Sequence, residues 1–303
     1  MKRIMQAGAV LVLGLAASAC QTVQTTRQGA VGIERQQYMA VSQREVEQRA
    51  AGEYRQLLAQ EQRRGRLNTQ RAQVERVNRI AQQLIPHTAV FRPDAPRWQW
   101  EVNVISSNEV NAWCMPGGKM AVYTGLLERL QISDDELAAV LGHEIAHALR
   151  EHARERISEQ MGTQLAVNIL GALGTRGGYE GLGKLAGAGM QLLVELPHSR
   201  AHETEADRIG VELAARAGFY PLAAVTLWQK MGRVSGGEPA KLLSTHPSRS
   251  ERTQDLQNYG QRVMPLYQAA RNQNQSWQPA PGNPPQNPLP GQPPLRGQGQ
   301  GWR

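Results

Sequence analysis

The spacing of apolar positions changes several times along the chain, and each change marks an element. Val41, Val46, Tyr54, Leu57 and Leu58 recur among Gln, Arg and Glu, which predicts an amphipathic helix. A second helical pattern runs through Val74, Val77, Ile80, Leu84 and Ile85, and Pro86 stops it. Trp98 to Val104 alternates like a strand. Val110–Met115 and Lys119–Tyr123 flank Pro116-Gly117-Gly118, a hairpin signal. Ser133-Asp134-Asp135-Glu136 has the form of a capping box, with acids at the positive end of a helix. That helix carries Leu137, Val140, Leu141, Ile145, Ala148 and Leu149 and ends among Arg150, Arg154 and Arg156. Residues 161–196 are apolar and rich in glycine and read as buried short helices, or alternatively as a mobile lid or a surface touching the membrane. Arg176, Glu180 and Lys184 exclude a transmembrane span there. Further helices are predicted over Ser199–Ala217, with Gly218 just past the end, then after Pro221 through Met231, and from Ser248 onward. Arg233 to Pro247 reads as loop. The pattern predicts an α+β chain, mostly helical, with a small antiparallel sheet.

The two ends stand apart from this pattern. Lys2 and Arg3 precede an uncharged stretch from Ala7 to Ala19, too short to span a bilayer, which has the shape of a secretory signal. Ala17-Ser18-Ala19-Cys20 resembles a bacterial lipobox, in which Cys20 is acylated, and Ala17-x-Ala19 also fits ordinary cleavage. By resemblance to lipoprotein sorting, Gln21 in place of Asp points to the outer membrane; the alternative is a soluble periplasmic protein. At the other end, from Asn272, the composition collapses to Pro, Gln, Gly and Asn, which predicts a disordered or polyproline-like tail.

Composition narrows the function classes. Hydrophobic residues at 40 % and charged residues at 20 % exclude a wholly disordered chain. Two cysteines exclude a disulfide scaffold and a zinc site built of cysteines alone. If Cys20 carries lipid, Cys114 is left as a packed, buried thiol. The basic excess sits mainly in residues 27–80, which hold eleven Arg, no Lys and six Glu. That reads as two amphipathic helices with a solvated basic face, or as a surface for anionic head groups beside the anchor. No nucleic-acid motif accompanies it, so nucleic acid is not expected as a partner.

The chemistry concentrates in His143-Glu144-Ile145-Ala146-His147. Four residues apart on a helix, the two imidazoles leave one face about one turn apart, a spacing suited to one Zn²⁺ per chain. Glu144 sits beside the first ligand, able to take a proton from a metal-bound water without ligating the metal. Two adjacent buried imidazoles need a partner, and a metal is the economical one. A catalytic zinc needs a third ligand and an open position. Ser199-Arg200-Ala201-His202-Glu203-Thr204-Glu205-Ala206-Asp207 offers it: Glu203 and Asp207 share a helix face, so Glu203 can ligate while Asp207 orients an imidazole. His202 and Glu205 compete for the ligand role, and Glu205 also reads as a solvent carboxylate pairing Arg208. His152, five residues past His147, points about 140° away on a continuous helix and is not expected to ligate. His87, His198 and His202 read as structural or surface residues.

Four segments in this order resemble the gluzincin zinc metallopeptidases of the HtpX and CAAX-protease type: Asn111-Ala112 through Leu127, His143–His147, Ser199–Asp207, and Thr245-His246-Pro247-Ser248-x-x-x-Arg252. They span about residues 98–256. Without TPR repeats or transmembrane helices, the chain looks closest to the LoiP/BepA-like periplasmic lipoprotein branch. The resemblance implies a zincin-like fold, with His143, His147 and Glu203 as zinc ligands, Glu144 as base, and Asp207 behind the ligands. It also implies an edge strand at Asn111 and Ala112, along which a substrate peptide can pair by its backbone. Trp113 and Cys114 depart mildly from the family pattern. His246 has three readings: an oxyanion donor, a plug of the fourth metal position, or a loop histidine near the site with neither role. The expected organisation is a signal peptide at 1–19, a lipidated linker at 20–26, an Arg-rich helical segment at 27–86, a metallopeptidase domain at 87–264 and a disordered tail at 265–303. The expected function is a zinc endopeptidase of the bacterial envelope acting on misfolded or membrane-associated proteins, with outer-membrane assembly machinery as a further partner. The alternatives are a chaperone-like scaffold with silenced proteolysis, or a zinc amidase acting on cell wall.

Overall fold

The computed structural model describes residues 21–174, 193–194, 197–234, 241–246 and 251–276. Cys20, the glycine-rich stretch at 175–192, the Pro247-Ser248 pair and the tail beyond 276 lie outside the described residues. Two three-residue strands come first, β1 (Gln21–Val23) and β2 (Gln37–Met39), paired antiparallel. They replace the expected linker and the start of the expected helical segment; three residues are too short to show a period. Helix α1 (Gln43–Arg63) begins at the Ser42–Glu45 capping box. Helix α2 (Arg71–Leu84) ends where Pro86 opens a 3-10 turn over Ile85–Val90.

A three-stranded sheet follows: β3 (Glu101–Ile105), β4 (Ala112–Met115) and β5 (Lys119–Tyr123), in the order β3-β5-β4. Gly117 and Gly118, both at φ +79°, turn β4 back along β5. The sheet is mixed, not antiparallel throughout. The chain leaves β3, crosses to the far edge as β4, and returns as β5 parallel to β3. β4 and β5 are buried on both faces, with side chains alternating between two apolar layers. Ala112, Cys114, Met120 and Val122 face the main core. Trp113, Met115 and Ala121 lie under Val46, Ala50 and Tyr54 of α1, and the Tyr54 hydroxyl donates to the Met120 carbonyl at 2.9 Å.

Helices complete the molecule: α3 (Thr124–Leu130), α4 (Asp134–Leu149), α5 (His152–Gly174), α6 (Arg200–Arg216), α7 (Ala223–Val234), α8 (Lys241–Thr245), α9 (Arg252–Arg262) and α10 (Met264–Ser276). None among the described residues is long and apolar enough to cross a membrane. Helix α4 is the hub, buried from Glu136 to Leu149. It crosses α6 with backbones in direct contact: a Cβ on Gly142 would lie 2.8 Å from the Gly210 carbonyl oxygen, and one on Gly210 would lie 2.7 Å from the His143 nitrogen. Only a glycine pair permits that approach, and it sets one helix face against the other beside His143.

Three expectations need correction. The stretch Arg233–Pro247 is not all loop, because α7 runs to Val234 and α8 occupies Lys241–Thr245. Helix α10 extends into the stretch assigned to the tail from 265, since Leu266 and Tyr267 pack against the core before the proline-rich composition begins. The helix carrying His143 also does not continue through His152. Arg150 caps it, Glu151 adopts φ +52°, and a new helix starts at His152 in another direction.

Candidate metal centre

The Ser133 hydroxyl accepts from the Glu136 N–H, and the Glu136 carboxylate accepts from the Ser133 N–H at 2.8 Å. This cap fixes the phase of α4 and so the direction in which His143, Glu144 and His147 leave it. All three are buried. The two Nε2 atoms lie 3.0 Å apart. From α6, Glu203 faces them, with its oxygens 3.6 Å from His143 Nε2 and 3.4 Å from His147 Nε2. Asp207, one turn further along α6, lies 3.0 Å from His143 Nδ1.

His246 completes the cluster. Its N–H donates to the Leu242 carbonyl, and the Leu242 N–H donates to that of Val110, so α8 is tied to the chain entering β4. The ring is buried, with Nδ1 3.1 Å from His143 Nε2 and 2.9 Å from Glu203 Oε1. Its Nε2 lies 3.5 Å from Glu144 Oε1.

This donor set suits a metal ion. Four atoms around Zn²⁺ at about 2.0–2.1 Å in a tetrahedron lie about 3.3–3.4 Å from one another. His143 lies 3.0 Å from His147, 3.1 Å from His246 and 3.6 Å from Glu203, Glu203 lies 3.4 Å from His147 and 2.9 Å from His246, and all four ligand atoms fall within 4.8 Å of one another. The His143 and His147 Nε2 atoms face each other beside a buried carboxylate, an arrangement that a shared cation would satisfy.

The electrostatics follow from burial and neighbours. Burial raises the Glu144 carboxyl, and the charges of His246 and His143 only partly oppose this. Burial also pushes the Glu203 carboxyl upward, but His246 and the hydrogen bonds from His147 and His246 hold it well below the usual range. Burial drives His147 well below the ordinary imidazole value. In His246 the same penalty is outweighed by Glu203 and Glu144, so its pKa is raised.

The outer strand β4 borders the cluster. A narrow recess lies between them, lined in part by Trp113, Cys114, Glu144, His147, His198 and His246. Asn111 and Ala112, where the chain enters β4, are buried. The Asn111 carbonyl accepts from the Tyr123 N–H, so it is engaged within the sheet. By the antiparallel pattern, the backbone groups of Ala112 and Cys114 point away from β5. Cys114 is a buried free thiol whose pKa burial raises.

Several neighbours of the site escaped the sequence reading. His152 was set aside on a helical wheel that assumed one continuous helix. After the break at Glu151, its Nδ1 lies 2.8 Å from His147 Nδ1. The His198 ring lies 3.9 Å from that of His147, tilted by 40°, and His202 stacks at 4.2 Å on His152. Glu205 is not a solvent carboxylate pairing Arg208. It is buried against Arg35, Arg150 and His152, while Arg208 pairs with Asp255. Arg252 was noted in a motif without a role. Its buried guanidinium lies 3.2 Å over the Trp228 ring, donates to Asp207 Oδ1 at 2.6 Å and reaches Glu203 Oε2 at 3.1 Å. His87, far along the chain in the 3-10 turn, takes no part.

The helical hub with its mixed sheet, and the two-helix cluster of imidazoles and carboxylate, define a zincin-like metallopeptidase domain. The model of Peptidase family M48 matches residues 71–260, well over half of the chain, and the chain belongs to that family. The mitochondrial metalloendopeptidase OMA1 of Arabidopsis thaliana is 39 % identical over 158 residues, which cover 52 % of this chain and 31 % of that protein. The beta-barrel assembly-enhancing protease of Yersinia pestis is 30 % identical over 188 residues, 58 % of this chain and 37 % of its own. The metalloprotease LoiP of Escherichia coli is 30 % identical over 161 residues, 51 % of this chain and 60 % of its own. The matches span between about a third and a half of the length of the relatives with the strongest similarity.

Proposed function

We propose that the chain is a zinc-dependent endopeptidase of the bacterial cell envelope, cleaving misfolded or membrane-associated proteins. The observation that carries this is the convergence of His143, His147 and Glu203 with Glu144 at their side. These three residues would hold one Zn²⁺, which supplies a water of lowered pKa and polarises the scissile carbonyl. Glu144 takes the proton of the attacking water and returns it to the leaving amine; its burial suits it to both steps. Asp207, anchored by Arg252, orients His143. The substrate backbone lies along β4 at Asn111 and Ala112, pairing with the outward-facing groups of Ala112 and Cys114. Such pairing reads backbone more than sequence, so unfolded segments are favoured. The name of the Yersinia relative, a beta-barrel assembly-enhancing protease, supports a protease of the envelope, and that of the Escherichia relative supports a metalloprotease. Acylation at Cys20 would place the chain as a lipoprotein on the periplasmic face of the outer membrane, within reach of the assembly machinery there.

His246 favours a second reading of the resting state. Its Nδ1 stands among the ligand atoms, where a fourth ligand excludes water and silences proteolysis. In that state the protein is a scaffold for outer-membrane clients; once withdrawn, His246 is placed to donate to the oxyanion.

Zinc-loaded Glu144→Gln should keep its metal and lose casein cleavage by a factor of about 10²–10⁴. Retained cleavage ends the base assignment, and purified wild type without zinc ends the site itself. Wild type and His246→Ala that both bind unfolded outer-membrane polypeptide without cleaving it decide for the scaffold. Mass spectrometry of envelope proteins from cells with wild type against Glu144→Gln would identify the clients.

A further inference from the structure

Behind His147, on the side away from Glu203, the structure holds a second buried group of ionisable side chains that the hydrolytic chemistry does not use. His152 Nδ1 lies 2.8 Å from His147 Nδ1, and His152 Nε2 lies 3.0 Å from Glu205 Oε2. Glu205 is fixed in turn: Arg150 Nε donates to Oε2 at 2.8 Å and Arg35 Nε to Oε1 at 2.6 Å. His152 and Arg150 are fully buried. His152 also stacks on His202, whose Nε2 lies 3.1 Å from Glu155.

His152, Glu155 and His202 are close enough to share an ion. The charges argue against one. Arg35 bonds both oxygens of Glu155, and Arg35 with Arg150 occupies Glu205. Two guanidinium groups already neutralise the two carboxylates, so no net negative charge is left to hold a divalent cation.

The protons fall in one order. To offer the Nε2 lone pair to a metal, His147 must carry its proton on Nδ1. That proton points at His152 Nδ1, which must then accept. The His152 proton therefore sits on Nε2, where Glu205 Oε2 receives it. Each ring carries one proton, and each hydrogen bond has one donor and one acceptor.

We propose that His152 is a positioning residue for the metal site, fixing the tautomer and ring angle of His147 and tying both to Glu205. The proposal rests on the reading of His147 as a ligand. Ligand imidazoles are commonly oriented by an acceptor on their second nitrogen, and loss of that acceptor typically weakens metal binding 10–100-fold. His147 here reaches its carboxylate through a second imidazole because the helix break at Glu151 inserts His152 between them.

The test uses full-length protein and Zn²⁺, with affinity read by competition against a chromophoric chelator. His152→Leu keeps volume and removes the acceptor; it should bind Zn²⁺ at least tenfold more weakly than wild type. His152→Gln offers one acceptor and one donor, and should recover most of that loss while its metal-free melting temperature matches that of His152→Leu. Wild-type affinity in His152→Leu overturns the proposal, as does equal weakening in both variants. A wild type that takes up no Zn²⁺ overturns the ligand reading and the proposal together, which separates the two failures. A second measurement needs no variant: long-range ¹H–¹⁵N spectra of imidazole-labelled, zinc-loaded protein should place the His152 proton on Nε2. A proton on Nδ1 overturns the assignment.

Discussion

Helices α1 and α4 begin in the same way and end up in opposite roles. Ser42 and Ser133 each accept a hydrogen bond from the N–H three residues on, and Glu45 and Glu136 each accept one from the cap backbone N–H. Beyond the cap they diverge. Helix α1 buries one stripe, with Val46, Ala50 and Tyr54 on the sheet, and leaves most of its Arg and Gln in solvent. Helix α4 is buried over four turns, because Ala138, Ala139, Gly142, Ala146 and Ala148 let neighbours approach from every side. A capping box therefore says where a helix starts, and the size of the residues after it decides what the helix can do. Catalytic geometry needs side chains that cannot drift, and only the helix enclosed on all sides supplies that.

The sharpest way to break this contrast is Gly210→Ala. The new methyl group would overlap the backbone of Gly142 and His143, so α4 and α6 must separate. The expected loss is about 3 kcal/mol of stability, with Zn²⁺ affinity falling as His143 moves away from Glu203. Denaturant melts and a metal titration measure both; a variant as stable and as tightly metallated as wild type would show that the close crossing does not hold the site. The two caps come next. Ser133→Ala should cost about 1–2 kcal/mol, because Glu136 also accepts from Thr226 and Lys230 and so links α4 to α7. Ser42→Ala, at an exposed cap, should cost about 0.5 kcal/mol. Equal shifts of the urea midpoint would mean that burial does not amplify the cap.

Much of the centre was legible in the sequence, and the reason is local periodicity. The pairing of His143 with His147, and of Glu203 with Asp207, follows from helical spacing within single elements, and the structure brings all four together. The starts of α4 and α6 were equally clear, since Ser133 and Ser199 each cap a helix. What could not be read depends on one backbone angle or on contacts between distant segments. Glu151 at φ +52° looks in sequence like any helical glutamate, yet it turns His152 from the far side of a wheel toward His147. Arg35 and Glu205 meet across 170 residues, and no periodicity predicts that. The sheet was read as antiparallel because a hairpin is a local signal, whereas the parallel pairing of β3 with β5 depends on a crossover.

The smallest effect tests the solvent side of the contrast. Gly52 sits in the interior of α1, and a Cβ there would meet nothing within 4 Å. Glycine in a helix interior is destabilising by roughly 0.5–1 kcal/mol relative to alanine, because it loses more backbone freedom on folding. Gly52→Ala should therefore stabilise the protein by about that amount, the opposite sign to Gly210→Ala on the buried crossing. The same substitution in two helices then reads out their environments, with thermal midpoints as the measurement. A lowered midpoint for Gly52→Ala would show that this face of α1 is covered in solution, and α1 would then belong with α4 among the enclosed helices.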